Sequence, residues 1–337
     1  MRALRLHGVG DLRLGEEAPP EPAPGELLLR IQAVGLCGSD RHWFTEGAIG
    51  DAALTRPLVL GHEFVATVED GPRAGERVAV DPARPCGACR PCREGNGHLC
   101  VNDCFAGRDT VDGALRTLMA WPDHLAYTLP DDISDRDGPL LEPLGVALHA
   151  LDLAHAGPGT TAAVFGCGPI GLLLVQALQD AGATVSLATD VLPHRVEAAQ
   201  RLGAAGATPA GEAAPIGDVG VDVAFEVAGE DAALDDAIAA VRPGGRVVIV
   251  GIPSGERTSF AASPARHKGL TLLACRRMRA EHLPRAIELV DAGRIELAPL
   301  VSASYTLDDF PSAFADLRER SGLKVIVTPQ EGGGVAP

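Results

Sequence analysis

The chain opens on an alternation of apolar and polar positions, with Leu4 and Leu6 followed by Leu12 and Leu14, which is the period of half-buried strands. The Pro-rich stretch GEEAPPEPAPGE interrupts the pattern, and it resumes in ELLLRIQAV. Through Pro130, Gly and Pro punctuate short apolar runs such as Arg77 to Val80, and no long helical period develops. This predicts a β-rich domain of short strands and turns. Near Leu140 the period changes. Strand-like TTAAVFG precedes a helical run from Leu172 to Leu178, and strand-like TVSLATD precedes a helix holding Val196, Ala199 and Leu202 that closes at Gly203. VDVAFEV then leads to a helix with Leu234, Ile238 and Val241, the turn Pro243-Gly244-Gly245 and the strand RVVIVG. Repeated strand–helix units predict an α/β domain with a doubly wound parallel sheet. A last helix carrying Leu283, Ile287 and Val290 ends at Gly293, strand-like pieces reach Lys324 to Val327, and QEGGGVAP reads as an unstructured tail.

Composition narrows the function classes. The 337 residues carry 29 Lys+Arg against 45 Asp+Glu, a formal charge of −16, which makes a phosphate backbone or an anionic lipid surface a poor partner. Aromatics are only 4 %, so the interleaved aromatic and basic pattern of a single-strand nucleic-acid binder is missing. At 46 % apolar the chain has ample material for a core, and its length favours two domains. MRALRLHGVGDLRLG has no apolar signal region, and no window approaches about 18 uninterrupted apolar residues. A cytoplasmic protein with no membrane partner is the expectation.

The eight cysteines are unevenly placed. Cys86, Cys89, Cys92 and Cys100 form a C-x2-C-x2-C-x7-C run, while Cys37, Cys104, Cys167 and Cys275 are scattered. Four soft thiolates this close can complete a tetrahedral S4 site, the donor set of structural zinc. A ferredoxin-type run would place its fourth cysteine after three residues, usually before Pro. Here the gap is seven and Val101 follows.

Gly166-Cys167-Gly168-Pro169-Ile170-Gly171 is a G-x-G-x-x-G between an apolar strand and an apolar helix. Its glycines permit a tight turn, a close approach of backbone to a pyrophosphate and close helix–strand packing. Asp190 ends the next strand, 19 residues after Gly171, where a carboxylate accepts hydrogen bonds from an adenosine ribose and repels a 2′-phosphate. That arrangement favours NAD. A helix N-cap is the competing role for Asp190, and His194 and Arg195 nearby are groups that can hold a 2′-phosphate.

A further constellation comprises Cys37-Gly38-Ser39-Asp40-Arg41-His42 and Gly61-His62-Glu63. Cys37 and His62, completed by Glu63 or Glu142, are the donor types of an open, catalytic zinc. Taken singly, a cysteine is as readily a small buried hydrophobe and a histidine a hydrogen-bonded core residue.

These segments together resemble the zinc-dependent medium-chain alcohol dehydrogenases, in their sorbitol (polyol) dehydrogenase branch. CGSDRHWFTEGAIGD followed by RPLVLGHE is similar to that branch's segment around the catalytic zinc. LLEPLGVALHA resembles its Glu-Pro-Leu element, and GCGPIG, TD-x2-PHR and RPGGRVVIVG resemble its cofactor domain. The resemblance covers nearly the whole chain. It implies a β-rich, GroES-like catalytic domain over 1–145 and 283–337, split around a Rossmann NAD-binding domain over 146–282. It further implies one catalytic and one structural zinc per chain. Cys37, His62 and Glu63 become the catalytic ligands, and Glu142 lies beside the metal or approaches it directly. Ser39 becomes the hydroxyl at the substrate oxygen and His42 the end of the proton path. Gly166, Gly168, Pro169, Ile170, Gly171, Asp190 and Arg195 become the cofactor contacts. The implied reaction is hydride transfer from a secondary alcohol of a polyol or sugar-like substrate to NAD in a homodimer or homotetramer. L-Threonine, another β-hydroxy amino acid, and a cyclitol or aminocyclitol are the alternative substrates.

Overall fold

The computed structural model describes residues 1–50, 52–102, 104–212 and 219–330; all but the first residue of the expected unstructured tail lies outside them. The chain divides into two compact units, Met1–Glu142 with Arg279–Pro337, and Pro143–Met278.

The first unit is built on a seven-stranded sheet. In spatial order its strands are Ala126–Thr128, Arg77–Val80, Glu63–Val68, Glu26–Gly35, Lys324–Thr328 and Val301–Thr306, with Leu118–Pro122 also pairing along Glu26–Gly35. Every pairing is antiparallel except that of the last two strands. Alternate residues of Glu26–Gly35, Leu29 and Ile31, are fully buried beside Leu4, Leu6, Met119 and Phe314, which is the period-two burial that the alternation in ELLLRIQAV requires. The strand register sets Gly35 opposite Glu63 on one side and Ile326 on the other. A strand from each end of the chain therefore flanks the same backbone.

One element of this unit departs from the sequence pattern. Gly38–Glu46 is a helix, where the pattern predicts turns and strands. It buries only Asp40, His42 and Trp43, so it shows no apolar stripe. Its ends are instead fixed by local chemistry. The Cys37 N–H donates to the Asp40 carboxylate at 2.8 Å, half of a capping box, and Gly47, in a left-handed conformation, returns its N–H to His42 and Trp43.

The second unit holds a six-stranded sheet in the order Ala207–Pro209, Thr184–Asp190, Thr161–Phe165, Val221–Glu226, Val241–Ile249 and Thr271–Ala274, parallel throughout. The strand order reverses at Thr161–Phe165, the doubly wound switch point at whose carboxyl side such sheets bind ligands. The helices Pro169–Asp180, Pro193–Arg201 and Asp231–Ala240 connect successive strands. The last of these stops at Ala240, and Val241, expected in the helix, begins the next strand; that strand also takes in the predicted turn Pro243-Gly244-Gly245. Lys268 closes the helix end, its ammonium donating to the carbonyls of Ile238, Ala239 and Val241, in keeping with the preference of cations for helix C-termini.

Candidate functional site

Glu26–Gly35 runs out into Cys37, the cap of the short helix, and Gly61-His62-Glu63 leads into the neighbouring strand. This brings one ligand atom each of Cys37, His62 and Glu63 within 4.8 Å of one another. Two glycines make the space. A Cβ at Gly35 would run into the Glu63 carboxylate, and Gly61, at φ +93°, sits where a Cβ would press on Val34 and Leu115.

The group is buried and strongly charged. Asp40 is inaccessible to solvent. It accepts from the Gly61 N–H at 3.3 Å as well as from Cys37, and lies 3.8 Å from His62 Nδ1. Lys324, buried in the strand from the far end of the chain, donates to Glu63 Oε2 at 2.5 Å and to the Leu36 carbonyl at 3.1 Å. Glu142 is not part of the three-residue group but is buried close enough for His62 and Glu63 to act on its charge. Burial pushes the Cys37 thiol up, and the Glu63 carboxylate adds to the shift. Burial likewise raises Asp40 and pushes Glu142 up to about 7. Burial opposes the charge of Lys324, but Glu63 and Cys37 more than offset it and raise the ammonium.

Four acidic groups thus share one buried region with a single lysine. Thiol, imidazole and carboxylate are also the donors with which proteins build zinc sites that keep a position open. A dication at that point would favour the ionised form of its ligands, reversing the effect of burial on Cys37. Donor chemistry and charge both fit zinc. Ser39 lies close enough to the Cys37 thiol to act against its upward shift, and His42, one turn along the helix, is buried with Nδ1 2.8 Å from the Glu46 carboxylate.

Sequence reading assigned no role to Asp40 or Lys324. Asp40 lies inside the motif but reads as an ordinary acidic residue of a turn. Lys324 had a visible signal, a charge opening the apolar run KVIV in a strand that is buried at every position.

Cys86, Cys89, Cys92 and Cys100 form a second group, again with all four sulfurs within 4.8 Å. Cys89 Sγ lies 3.4 Å from Cys92 Sγ and 3.8 Å from Cys100 Sγ. Backbone N–H groups converge on the sulfurs, from Cys86 and Asn102 to Cys100 at 3.2 and 3.4 Å, and from Ala88 and Cys89 to Cys86, lowering that thiol to about 6. Cys92 is pushed the other way, to about 12, by burial and by its thiol neighbours. Four sulfurs surrounded by donors are prepared for negative charge that only a cation can balance, and S4 with no open position suits structural zinc. Cys92→Ser is expected to remove one zinc per chain and lower the thermal midpoint by several degrees, with NADH binding retained; metal analysis and a melting curve check it.

In the second unit the fingerprint glycines take three distinct roles. Gly166 has φ +109°, and a Cβ there would meet the backbone of Val227 and Ala228. A Cβ on Gly171 would collide with the Gly166 carbonyl, so this glycine lets helix pack on strand. Gly168 caps the helix that begins at Pro169 and Ile170, and a Cβ there would have only the Arg195 guanidinium as a near neighbour, at 3.5 Å. The backbone is therefore open where a pyrophosphate would approach the helix N-terminus. Asp190 is buried and accepts the Cys167 N–H at 2.8 Å and the Leu192 N–H at 2.9 Å, with Arg195 3.8 Å away. Its carboxylate ties the fingerprint loop to the start of the next helix, and a carboxylate has acceptor sites beyond those two for ribose hydroxyls.

Residues 23–131 match the family described as alcohol dehydrogenase GroES-like domain, and residues 169–292 that described as zinc-binding dehydrogenase. Sorbitol dehydrogenase of Bacillus subtilis (strain 168) is 33 % identical over 344 residues, covering 98 % of this chain and 97 % of the relative. Among solved structures, a putative zinc-binding dehydrogenase from Sinorhizobium meliloti 1021 bound to NADP is 31 % identical, with a TM-score of 0.88 over 97 % of this chain and 99 % of that one. An alcohol dehydrogenase from Escherichia coli CFT073 complexed with NADH is 25 % identical, with a TM-score of 0.88 over 98 % of this chain and 99 % of that one. Among the described residues, no helix is long and apolar enough to cross a membrane.

Proposed function

The chain belongs to the zinc-dependent medium-chain alcohol dehydrogenase family, and on that premise we propose that it oxidises a secondary alcohol of a polyol or sugar-like substrate to the ketone, with NAD as hydride acceptor. The observation that carries the reading is the meeting of Cys37, His62 and Glu63 within 4.8 Å in a buried, acidic surrounding.

In this reading Cys37, His62 and Glu63 hold the catalytic zinc, and Cys86, Cys89, Cys92 and Cys100 hold the structural one. When bound, the catalytic zinc supplies Lewis-acid stabilisation of the negative charge that a substrate hydroxyl acquires as it loses its proton. The protein's own groups do the rest. Lys324 fixes the direction of the Glu63 carboxylate, and Asp40 sets the place of His62 by binding both Cys37 and Gly61 backbone. A carboxylate ligand leaves less net positive charge at the site than a neutral imidazole in its place would. Ser39 and His42, three residues apart on one helix, move the hydroxyl proton away from the substrate. Glu142 lies beside the ligands and offers a polar contact to a second hydroxyl of a polyol.

For the cofactor, Gly166, Gly168 and Gly171 with Pro169 and Ile170 receive the pyrophosphate, and Asp190 receives the adenosine ribose. Arg195 beside Asp190 is a neighbour of the same subsite. The carboxylate of Asp190 disfavours a 2′-phosphate, so kcat/KM with NAD is expected to exceed that with NADP, and Asp190→Ser is expected to narrow or invert the ratio; initial rates with each cofactor decide it. We further propose a cytoplasmic homodimer or homotetramer.

The reading is tested by following NADH formation with a panel containing sorbitol, xylitol, a cyclitol and L-threonine, alongside metal analysis. Turnover of polyols by protein carrying two zinc ions per chain supports it. Turnover of L-threonine alone moves the activity to β-hydroxy amino acids, and one zinc per chain with no turnover leaves a cofactor-binding protein without catalysis.

A further inference from the structure

We propose that Glu46 is a positioning residue for proton release: its carboxylate keeps the His42 hydrogen on Nδ1, leaves Nε2 as the acceptor, and stabilises the imidazolium formed when the substrate proton arrives. The inference rests on the reading of His42 as the end of the proton path.

His42 and Glu46 stand four residues apart in the helix Gly38–Glu46 and so share a face. Nδ1 lies 2.8 Å from Oε1. An ionised carboxylate can only accept, so at that distance Nδ1 carries the hydrogen. In the neutral ring the other nitrogen is then the one with a lone pair. The His42 side chain is 6 % exposed and that of Glu46 36 %, so the pair extends from a buried ring to the solvent.

Helix stability does not account for this pair. Glu46 is the last residue of the helix, where the dipole disfavours a carboxylate, and acid following base at this spacing is the weaker orientation. The charges on the helix Phe310–Glu319, which packs against this one, are engaged elsewhere: Asp316 with Tyr305 and Ser321, Arg318 with Glu319. What Glu46 gains from its place is the charge-assisted hydrogen bond it makes once His42 is a cation. In that step the substrate O–H bond breaks and an N–H bond forms at Nε2. The imidazolium then gives that proton to water, and the ring returns to the Nδ1–H form. No electrons move in the step, so the hydride half of the reaction is untouched.

The experiment uses zinc-loaded enzyme with sorbitol, or the best substrate of the polyol panel, and compares Glu46→Ala, Glu46→Gln and His42→Ala. Glu46→Ala is expected to lower kcat about tenfold with KM unchanged, and His42→Ala more, within the range of a lost acid–base group. Added imidazole is expected to restore His42→Ala, and added formate Glu46→Ala. Glu46→Gln, which can accept from Nδ1 but carries no charge, is expected to fall between wild type and Glu46→Ala. Independently of turnover, the 15N resonances of His42 in selectively labelled protein are expected to show the Nδ1–H form in wild type and Glu46→Gln and its loss in Glu46→Ala. An unchanged tautomer in Glu46→Ala, a wild-type kcat there beside an impaired and imidazole-rescued His42→Ala, or a loss in Glu46→Ala that formate does not restore would each overturn the proposal. A His42→Ala enzyme with wild-type kcat overturns the relay itself, and the role of Glu46 with it.

Discussion

Cys37→Ala is expected to lower kcat/KM for alcohol oxidation by at least about a thousandfold, with NADH affinity and thermal midpoint little changed. A metal ion contributes several kcal/mol to stabilising developing negative charge, and each 1.36 kcal/mol is a factor of about ten in rate. Losing about 4 kcal/mol therefore removes three orders of magnitude. Cys37 supplies the thiolate among the three donors, and His62 and Glu63 alone make a weaker site. The fold is expected to tolerate the change, because the cap of the helix rests on the Cys37 backbone N–H and the Asp40 side chain, both of which alanine retains. The dinucleotide fingerprint belongs to the other unit, so cofactor binding measured by NADH fluorescence is the control. Loss of one zinc per chain should accompany the loss of rate, whereas Cys92→Ser should lose one zinc with the main effect on stability. Wild-type turnover in Cys37→Ala would remove the catalytic assignment.

How much of the molecule was legible in the sequence depends on how locally each feature is encoded. The fingerprint is readable because each glycine answers a backbone requirement within a few residues: a left-handed turn at Gly166, an open cap at Gly168, a close contact at Gly171. The S4 group is likewise local, four sulfurs within 15 residues of chain. The parallel sheet showed itself in the switching of period from strand to helix. The helix Gly38–Glu46 did not, because it buries only Asp40, His42 and Trp43 and its signal lies in its caps. Helix and strand also divide the segment at Val241 differently from the apolar spacing, which marks Val241 as buried but not as the fully buried start of a strand. Long-range pairings left the least trace. Nothing near Lys324 announces that its strand lies beside Glu26–Gly35, or that its ammonium meets a carboxylate 261 residues earlier in the chain.

That pairing sets the second large effect. With the catalytic site stripped of zinc, Lys324→Met is expected to lower the stability of the catalytic unit by about 3–5 kcal/mol, because it leaves the Glu63 carboxylate buried without its countercharge. Glu63 is 1 % exposed and Lys324 3 % as side chains, so water cannot replace the lost ammonium, and the Leu36 carbonyl also loses its donor. For a unit of this size the change corresponds to a fall in thermal midpoint of roughly 10 °C. Glu63→Gln in the same background removes the stranded charge, and the double variant Glu63→Gln/Lys324→Met is expected to melt above Lys324→Met alone. The resulting coupling of about 2 kcal/mol or more separates an ion pair from simple loss of packing. The two roles of Glu63 also separate in this cycle. Stability follows the balance of charge between positions 63 and 324, whereas turnover stays low in every variant lacking the Glu63 carboxylate, because glutamine is a poorer donor to zinc. Additive effects of the two substitutions on the melting curve would show that Lys324 acts through packing alone.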